Sequence, residues 1–322
     1  MKEYTYDENG NRKTFKLTVG GTQQMDATYT YDQLNQLASV TIGGDTTTYG
    51  YDDNGNIVNK QTGELVTAYT YNNGNMLTNM ETTQGSNSLY TYSSSYYLDG
   101  NRKDVIDSQD YDYHYTYNGL GQLMHERQGM YDFDYTYDAY GNRIERSYGS
   151  STLGNENVQY SYDANNRLIQ EVHDGTAWNE NLQQQLTTIQ YAYDANGNQI
   201  SKLTQKMSNE SGEETVHMGT LGEDEPAAPG VVFYTYNGFG EMTGMKDGGT
   251  TAAYTYNPDG LRVSKTVNGE TTTHILDGAN VVADITAEGI TKYNRRSSLI
   301  SIEQENQKRY YMSNGYGASL RF

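Results

Sequence analysis

Short stretches in which aromatic or apolar residues alternate with polar residues follow one another along the chain. In the stretch 134–143, Tyr135 and Tyr137 are followed by the run Asp-Ala-Tyr-Gly-Asn. Residues at positions i and i+2 of an extended strand share one face, and Asp, Gly and Asn are residues that tight turns favour. The pattern therefore predicts a strand, a turn and a second strand in each stretch.

The same pattern recurs from one end of the chain to the other. Counted at the second tyrosine of each Tyr-x-Tyr pair, the copies lie at Tyr6, Tyr31, Tyr51, Tyr71, Tyr92, Tyr117, Tyr137, Tyr162, Tyr193, Tyr236 and Tyr256. A spacing of about 20 residues, lengthened by insertions, is typical of repeat proteins whose units bury their faces by stacking on one another. We therefore expect an array of antiparallel hairpins.

The residues that define the repeat are the paired tyrosines and the turn glycines. They are Tyr4, Tyr6, Gly10, Tyr29, Tyr31, Tyr49, Tyr51, Gly55, Tyr69, Tyr71, Tyr115, Tyr117, Gly121, Tyr135, Tyr137, Gly141, Tyr160, Tyr162, Tyr191, Tyr193, Gly197, Tyr234, Tyr236, Gly240, Tyr254, Tyr256 and Gly260. Their regular spacing predicts that tyrosines of neighbouring units stack into a ladder across the strands.

Two kinds of turn occur. Some carry Gly-Asn-Arg or Gly-Asn-Ile, whereas others carry Gln-Leu or Glu-Met afterwards, so polar and apolar side chains occupy the same position in different units. In the second copy Asn35 stands where the first has Gly10, and asparagine also tolerates the positive φ that this position requires. Around Tyr92 the pattern is irregular, because the turn sequence recurs after Tyr96; this predicts a shifted or bulged unit.

Two insertions interrupt the array. Residues 171–190 contain Trp178 and are predicted to lengthen a hairpin, whereas residues 205–230 contain Pro226 and Pro229 and are predicted to form an exposed acidic loop. From residue 271 apolar residues replace the tyrosines. We therefore predict a repeat array over 1–270 and terminal hairpin arms over 271–322.

Composition excludes several classes of protein. Hydrophobic residues make up 34% of the chain and 33 residues are tyrosine. Disordered chains are poor in aromatic residues, so the low hydrophobicity here does not indicate disorder. The net charge of −19 opposes capture of nucleic acid, and no apolar run is long enough to insert into a membrane as a helix.

No set of residues indicates catalysis, a cofactor or a metal. Cysteine is missing, and the five histidines lie in different units without metal-ligand spacing. The Asp-x-Asn-Gly-Asn runs are better explained as hairpin turns than as calcium loops, because no bidentate carboxylate recurs at a fixed offset. The chain is therefore predicted not to be an enzyme, although a carboxylate pair among its 41 acidic residues stays open as an alternative.

The repeated Tyr-x-Tyr-Asp-x-x-Gly-Asn-Arg motif resembles the YD or Rhs repeats of bacterial polymorphic toxins, insecticidal toxin complexes and teneurin-like proteins. The resemblance implies an all-β fold, a curved antiparallel β-hairpin repeat strip of the YD/Rhs type, either a β-solenoid or a partial shell. It also implies a secreted or cell-surface protein whose shell encloses a C-terminal toxin or effector.

The partners implied are the remainder of the same polypeptide, namely a core domain and the toxin passenger after residue 322. The first residues enter directly into a repeat, which we interpret as a cut inside a longer array. An adhesion module that binds cell-surface glycans is the alternative, with Trp178, Phe133 and Phe239 as candidate contacts.

Overall fold

A computed structural model describes residues 1–108, 112–150, 154–176, 184–207, 230–295, 299–305, 307–313 and 319–321. All regular elements in these ranges are β-strands, which confirms the predicted all-β class. No helix in this part of the chain is long and apolar enough to span a membrane.

The strands follow one another with short connections. The first ten are β1 (Lys2–Tyr6), β2 (Arg12–Val19), β3 (Thr22–Tyr31), β4 (Leu37–Ile42), β5 (Asp45–Tyr51), β6 (Ile57–Thr62), β7 (Leu65–Tyr71), β8 (Leu77–Gln84), β9 (Asn87–Tyr96) and β10 (Arg102–Asp107). The next nine are β11 (Asp112–Tyr117), β12 (Leu123–Gln128), β13 (Tyr131–Tyr137), β14 (Arg143–Ser150), β15 (Gly154–Tyr162), β16 (Leu168–Thr176), β17 (Gln184–Tyr193), β18 (Gln199–Met207) and β19 (Val231–Tyr236). The last nine are β20 (Met242–Asp247), β21 (Thr250–Tyr256), β22 (Arg262–Val267), β23 (Glu270–Asp277), β24 (Asn280–Ile285), β25 (Ile290–Arg295), β26 (Leu299–Gln304), β27 (Gln307–Ser313) and β28 (Ser319–Arg321).

The chain divides into two compact units. The first contains residues 1–113, 281–283 and 289–322, and the second contains residues 114–280 and 284–288. In the first unit consecutive strands pair antiparallel within the series β1 to β10, and again within the series β25 to β28. In the second unit the same holds from β12 to β23. The predicted antiparallel hairpin repeat is thereby confirmed.

The tyrosines lie on the buried face of the sheet in each unit. Tyr4 is opposite Phe15, and Tyr29 is opposite Val40, so each pair shares a face. Phe15 and Val40 are each 1% exposed. The intervening residues point the other way, where Thr5 and Thr14 form an exposed hydroxyl pair at 2.6 Å. Burial of one face provides the main stabilisation, at about 1.5–3 kcal/mol for each large apolar side chain.

A contact distant in sequence lies within the first unit. The Lys308 ammonium and the Tyr310 hydroxyl on β27 both bond to the carboxylate of Asp45 at the start of β5, the tyrosine at 2.7 Å. These two bonds hold the pKa of Asp45 below its ordinary value, whereas burial and the neighbouring carboxylate raise that of Tyr310 to about 12. The terminal strands are therefore fastened to an early hairpin.

The count that placed a copy of the repeat at Tyr92 is wrong. Tyr90 and Tyr92 lie in the middle of β9, and the turn of this unit follows Tyr96, which ends that strand. Ser94 therefore occupies the place of the first tyrosine. Tyr90 and Tyr92 have the spacing of the repeat because any two alternate tyrosines of a long strand share one face, but no turn follows them directly.

The predicted insertions lie partly outside the described residues. β16 and β17 pair as far as Thr176 opposite Gln184, and Trp178 falls in the range 177–183, which the structure does not describe. β18 continues to Met207, so the first three residues of the predicted loop 205–230 belong to a strand. Residues 208–229 lie outside the described part. The division into an array over 1–270 and arms over 271–322 stays a prediction.

Candidate functional site: the junction between hairpins

Each repeat turns the chain in five residues whose first member caps the turn. In the first turn, 7–11, one carboxylate oxygen of Asp7 accepts the backbone N–H groups of Asn9 at 3.0 Å and Asn11 at 2.8 Å. The other oxygen accepts the side-chain amide of Asn11 at 3.1 Å. The turn carboxylate is thus used internally, which explains the Asp-x-Asn-Gly-Asn run without a calcium ion.

The same cap recurs along the array. The first turn residue accepts the backbone N–H groups of the third and fifth residues at Asp7, Asp32, Asp52, Asn72, Asn118, Asp138, Asp163, Asp194, Asn237 and Asn257. The turn that starts at Tyr97 differs, because its third residue, Asp99, caps the N–H of Asn101 instead. Sequence reasoning treated the aspartate only as a residue favoured by turns and missed this cap.

The fourth turn residue adopts a positive φ in every repeat. Gly10, Gly55, Gly100, Gly121, Gly141, Gly197, Gly240 and Gly260 have φ between 75° and 88°, and Asn35, Asn75 and Asn166 have φ between 57° and 61°. Glycine adopts this conformation freely, and asparagine is among the few other residues that tolerate it. The position therefore accepts only these two residues in this chain.

Hydrogen bonds to the turn carboxylates favour their charged form. The side-chain amide of Asn142, followed by the backbone N–H groups of Asn142 and Tyr140, lowers the pKa of Asp138 below 3.8. Asn56 and Asn198 have the same effect on the pKa values of Asp52 and Asp194. The charged carboxylates are therefore part of the turn structure.

The second tyrosine of a repeat binds the preceding repeat through its hydroxyl. Tyr137 donates to the backbone carbonyl of Leu123, the first residue after the preceding turn, at 2.8 Å. Equivalent bonds of 2.7–2.9 Å run from Tyr31 to Arg12, Tyr51 to Leu37, Tyr71 to Ile57, Tyr96 to Leu77, Tyr162 to Arg143, Tyr193 to Leu168, Tyr236 to Gln199 and Tyr256 to Met242. We call this bond the tyrosine strap.

The strap reaches a place where the strand ladder is irregular. In the hairpin of β13 and β14, Tyr137 is opposite Arg143 but Thr136 is opposite Glu145, so Ile144 is an extra residue. A bulge of this kind leaves part of the ladder disrupted. The carbonyl that begins the bulge, that of Arg143, accepts the strap from Tyr162. The strap therefore satisfies a backbone acceptor next to the bulge.

The first tyrosine of a repeat contacts an arginine where the sequence supplies one after the turn. The guanidinium of Arg143 lies 5.5 Å from the ring centroid of Tyr135 in its own repeat and 4.8 Å from that of Tyr160 in the next. Such contacts contribute about 0.5–1 kcal/mol at partly exposed sites. Direct stacking of tyrosine on tyrosine between these units stays a prediction. The contact that the structure describes is an arginine that touches the tyrosine rings of two successive repeats.

The predicted repeat residues lie at three kinds of position. The glycines occupy the fourth position of the turns, and the first tyrosines lie on the buried face. The second tyrosines that form straps are Tyr31, Tyr51, Tyr71, Tyr137, Tyr162, Tyr193, Tyr236 and Tyr256. Tyr6 differs, since it is 59% exposed and lies on β1, which pairs only with β2 among the described strands. Tyr115 and Tyr117 lie at the end of β11, and Gly121 lies in the turn between β11 and β12.

Three of the described histidines, His125, His173 and His274, contact carboxylates. His173 on β16 lies 3.1 Å from Glu156 and 3.0 Å from Glu171, one carboxylate at each ring nitrogen. His274 lies 2.6 Å from Asp284. Among the described residues no three His, Asp or Glu side chains form a group that could hold a metal ion. The contacts of His173 with Glu156 and of His274 with Asp284 connect strands, whereas Glu171 lies on the same strand as His173.

Comparison with known proteins finds a family to which the first repeats are similar. Residues 1–152 match the family described as Teneurin YD-shell. No curated protein sequence matches the chain significantly. Residues 1–152 are thus similar to a YD-shell segment, which supports the resemblance that the repeat motif indicated, and the same turns and straps continue through the repeat that contains Tyr256.

Solved structures also resemble the chain. A structure of TcdB2-TccC3 without its hypervariable C-terminal region is 15% identical over 99% of this chain, with a TM-score of 0.49, and the chain spans 20% of its length. Porin-like proteins from Bacteroides vulgatus and Bacteroides uniformis are 13% identical over 80% and 88% of this chain and 92% and 87% of theirs, with TM-scores of 0.20 and 0.19. None of these scores establishes a shared fold.

Proposed function

We propose that the chain is a non-enzymatic wall segment of a YD-repeat shell, whose polypeptide encloses a C-terminal toxin or effector and acts outside the cell or at its surface. The observation that carries the proposal is the tyrosine strap. Each strap joins a hairpin to the hairpin before it, so the hydrogen bond that recurs in the repeats serves to hold successive hairpins of the wall together. The YD-shell match over residues 1–152 supports a structural role of this kind.

The distribution of side chains supports the same role. The buried face contains tyrosines and aliphatic residues, whereas the opposite face presents hydroxyl pairs such as Thr30 with Ser39 at 2.7 Å and Thr255 with Ser264 at 2.6 Å. These short polar side chains suit a wetted surface, and the net charge of −19 favours solubility. A wall needs one face of each kind.

The proposal is tested on the polypeptide that carries these residues in its source cells. Protease should leave the array intact and spare the C-terminal passenger until urea unfolds the array, whereas the same passenger produced alone should be cut at once. The matched control adds urea below the unfolding midpoint and should give no release. Immediate release from the folded polypeptide would overturn enclosure.

A glycan-binding role is the second candidate, and one observation favours it. Phe239 and Tyr140 are the third residues of their turns and are 92% and 83% exposed, which presents aromatic faces on which sugar rings can stack. A glycan array with the intact chain tests this candidate. Saturable binding that is lost in Phe239→Ala or Tyr140→Ala would establish adhesion, and an array without binding would reject it.

A further inference from the structure

The turns of successive repeats touch one another along one edge of the sheet. The fifth residue of one turn contacts the next turn, and at two junctions the third residue does so as well, since the side-chain amides of Asn9 and Asn54 donate to Asn35 at 3.1 Å and to Asn75 at 3.2 Å. In the first such contact, the side-chain amide of Asn11 donates to the side-chain oxygen of Asn35 at 2.9 Å. Asn35 is the fourth residue of its own turn, the position with positive φ.

Where both residues are asparagine, they hydrogen-bond. The amide of Asn56 donates to Asn75 at 3.0 Å, and the amide of Asn142 donates to Asn166 at 3.0 Å. The fifth residue is held in place for this bond, because its amide also donates to the carboxylate of the first residue of its own turn, as Asn56 does to Asp52 at 2.9 Å. The geometry suits two short amide side chains.

Where the fifth residue is longer, the next fourth residue is glycine. A Cβ atom added to Gly55 would lie 3.1 Å from Nε2 of Gln36, and one added to Gly141 would lie 3.3 Å from Nε2 of Gln122. The same contact joins Glu241 to Gly260 at 3.3 Å and Met76 to Gly100 at 3.8 Å. Arg167 reaches past Gly197 to the carbonyl of Asp194 at 3.4 Å. At Gly55, Gly141 and Gly260 the long side chain therefore lies in the space that a side chain on the glycine would enter, whereas the contact at Gly100 has an ordinary van der Waals length and a Cβ added to Gly197 meets no atom within 4 Å.

The fifth residues of successive turns alternate between asparagine and a longer residue. The fifth residues are Asn11, Gln36, Asn56, Met76, Asn101, Gln122, Asn142, Arg167, Asn198, Glu241 and Leu261 in order, so asparagine and a longer residue take turns until the last repeat. Asparagine precedes a turn with glycine twice, at Asn101 before Gly121 and at Asn198 before Gly240, where Oδ1 of Asn198 lies 3.5 Å from a Cβ added to the glycine. A long residue opposite asparagine does not occur at the junctions described above.

We propose that the fifth residue of each turn and the fourth residue of the next form a pairing code that selects which hairpin can dock on which. A turn whose fifth residue is asparagine accepts a next turn with asparagine or glycine at its fourth position. A turn whose fifth residue is longer accepts only a next turn with glycine at that position. The backbone requirement for positive φ is the same in both cases, so φ alone does not explain the choice between glycine and asparagine. The neighbouring side chain makes that choice.

The experiment compares one substitution at two glycines of the complete chain. Gly10 and Gly55 have φ of 82° and 84°, but a Cβ added to Gly10 meets no atom within 4 Å. Gly10→Asn is therefore the matched control for the intrinsic cost of asparagine, and should raise the unfolding equilibrium constant about threefold at most. Gly55→Asn should raise it about tenfold, because Gln36 must be displaced.

The rescue variant makes the test specific to the pair. Gln36→Asn combined with Gly55→Asn recreates the pair seen at Asn11 and Asn35, and should return the unfolding constant to within about twofold of the Gly10→Asn value. Equal effects of Gly10→Asn and Gly55→Asn, or a double variant no more stable than Gly55→Asn, would overturn the code. If Gly55→Asn does not fold, the double variant must fold, and its failure would equally overturn the code.

Discussion

The hydroxyl of Tyr137 donates to the backbone carbonyl of Leu123 at 2.8 Å, across the junction between two repeats. This single bond leads to a prediction, because removing the hydroxyl leaves the ring in place. Tyr137→Phe should lower the free energy of unfolding by about 1 kcal/mol, the usual net value of a hydrogen bond. Urea denaturation followed by circular dichroism measures the change.

The matched control is Tyr6→Phe, since Tyr6 is 59% exposed and lies on the first strand. It should change stability by less than about 0.5 kcal/mol. Tyr137→Ala removes the ring as well and should lower the free energy of unfolding by about 3 kcal/mol. Equal effects of the two Tyr→Phe substitutions would show that the strap contributes nothing.

The capped turns predict loss of stability in acid. The Asn142 amide and backbone N–H groups lower the pKa of Asp138 in the folded chain below its ordinary value of 3.8. A carboxyl group with a lowered folded pKa contributes stability above its unfolded pKa, and that contribution is lost as the pH falls through the folded pKa. Stability should therefore decrease below about pH 4 as the turn aspartates become protonated.

Asp138→Asn tests this turn, because asparagine occupies the same position at Asn118 and Asn237 in other repeats. The variant should fold and should have a smaller loss of unfolding free energy between pH 5 and pH 3 than the natural chain. Denaturation at a series of pH values measures the slope. An unchanged slope would show that the carboxylate of Asp138 is not linked to folding.

Buried tyrosines predict loss of stability at alkaline pH. Burial, with a smaller effect of Glu126, raises the pKa of Tyr135 to about 12, and burial also raises the pKa of Tyr69 to about 12. Because the folded chain keeps these protons longer than the unfolded chain, their contribution is complete below pH 10 and is lost between about pH 10 and pH 12. Tyr135→Phe should reduce that loss by about 1–2 kcal/mol. Tyr140→Phe is the matched control, because Tyr140 is 83% exposed, and it should reduce the alkaline loss of stability much less than Tyr135→Phe does.

Lys60 lies on the buried face with 4% of its surface exposed, and burial lowers its pKa from 10.5 to about 8. The unfolded chain therefore binds this proton more tightly, so stability should rise between about pH 8 and pH 10.5. Lys60→Met should raise the free energy of unfolding at pH 7 by about 2 kcal/mol and remove that rise. Lower stability of the variant at pH 7 would mean that the ammonium makes a favourable contact.

Repeat identity and fold class were predictable because strand alternation and turn composition are local properties. The sequence also indicated that Asn35 can replace a turn glycine, and the structure gives it a φ of 61°. The straps were not predictable, because the spacing of the tyrosines shows which face of the sheet a ring occupies but not which backbone carbonyl accepts a hydrogen bond from its hydroxyl. The fastening of Lys308 to Asp45 joins residues 263 positions apart, and no local pattern records it.

The alternation of turns along the edge has a consequence for how such genes can change length. Loss of the single repeat that contains Gly55 would place Gln36 against Asn75, the combination that the junctions avoid. Loss of two successive repeats would place Gln36 against Gly100, a combination already present between Met76 and Gly100. Loss of the single repeat that contains Asn35 would instead place Asn11 against Gly55, a combination of asparagine with glycine that the pairing accepts. The turn residues therefore limit the places at which such a gene can shorten by one hairpin.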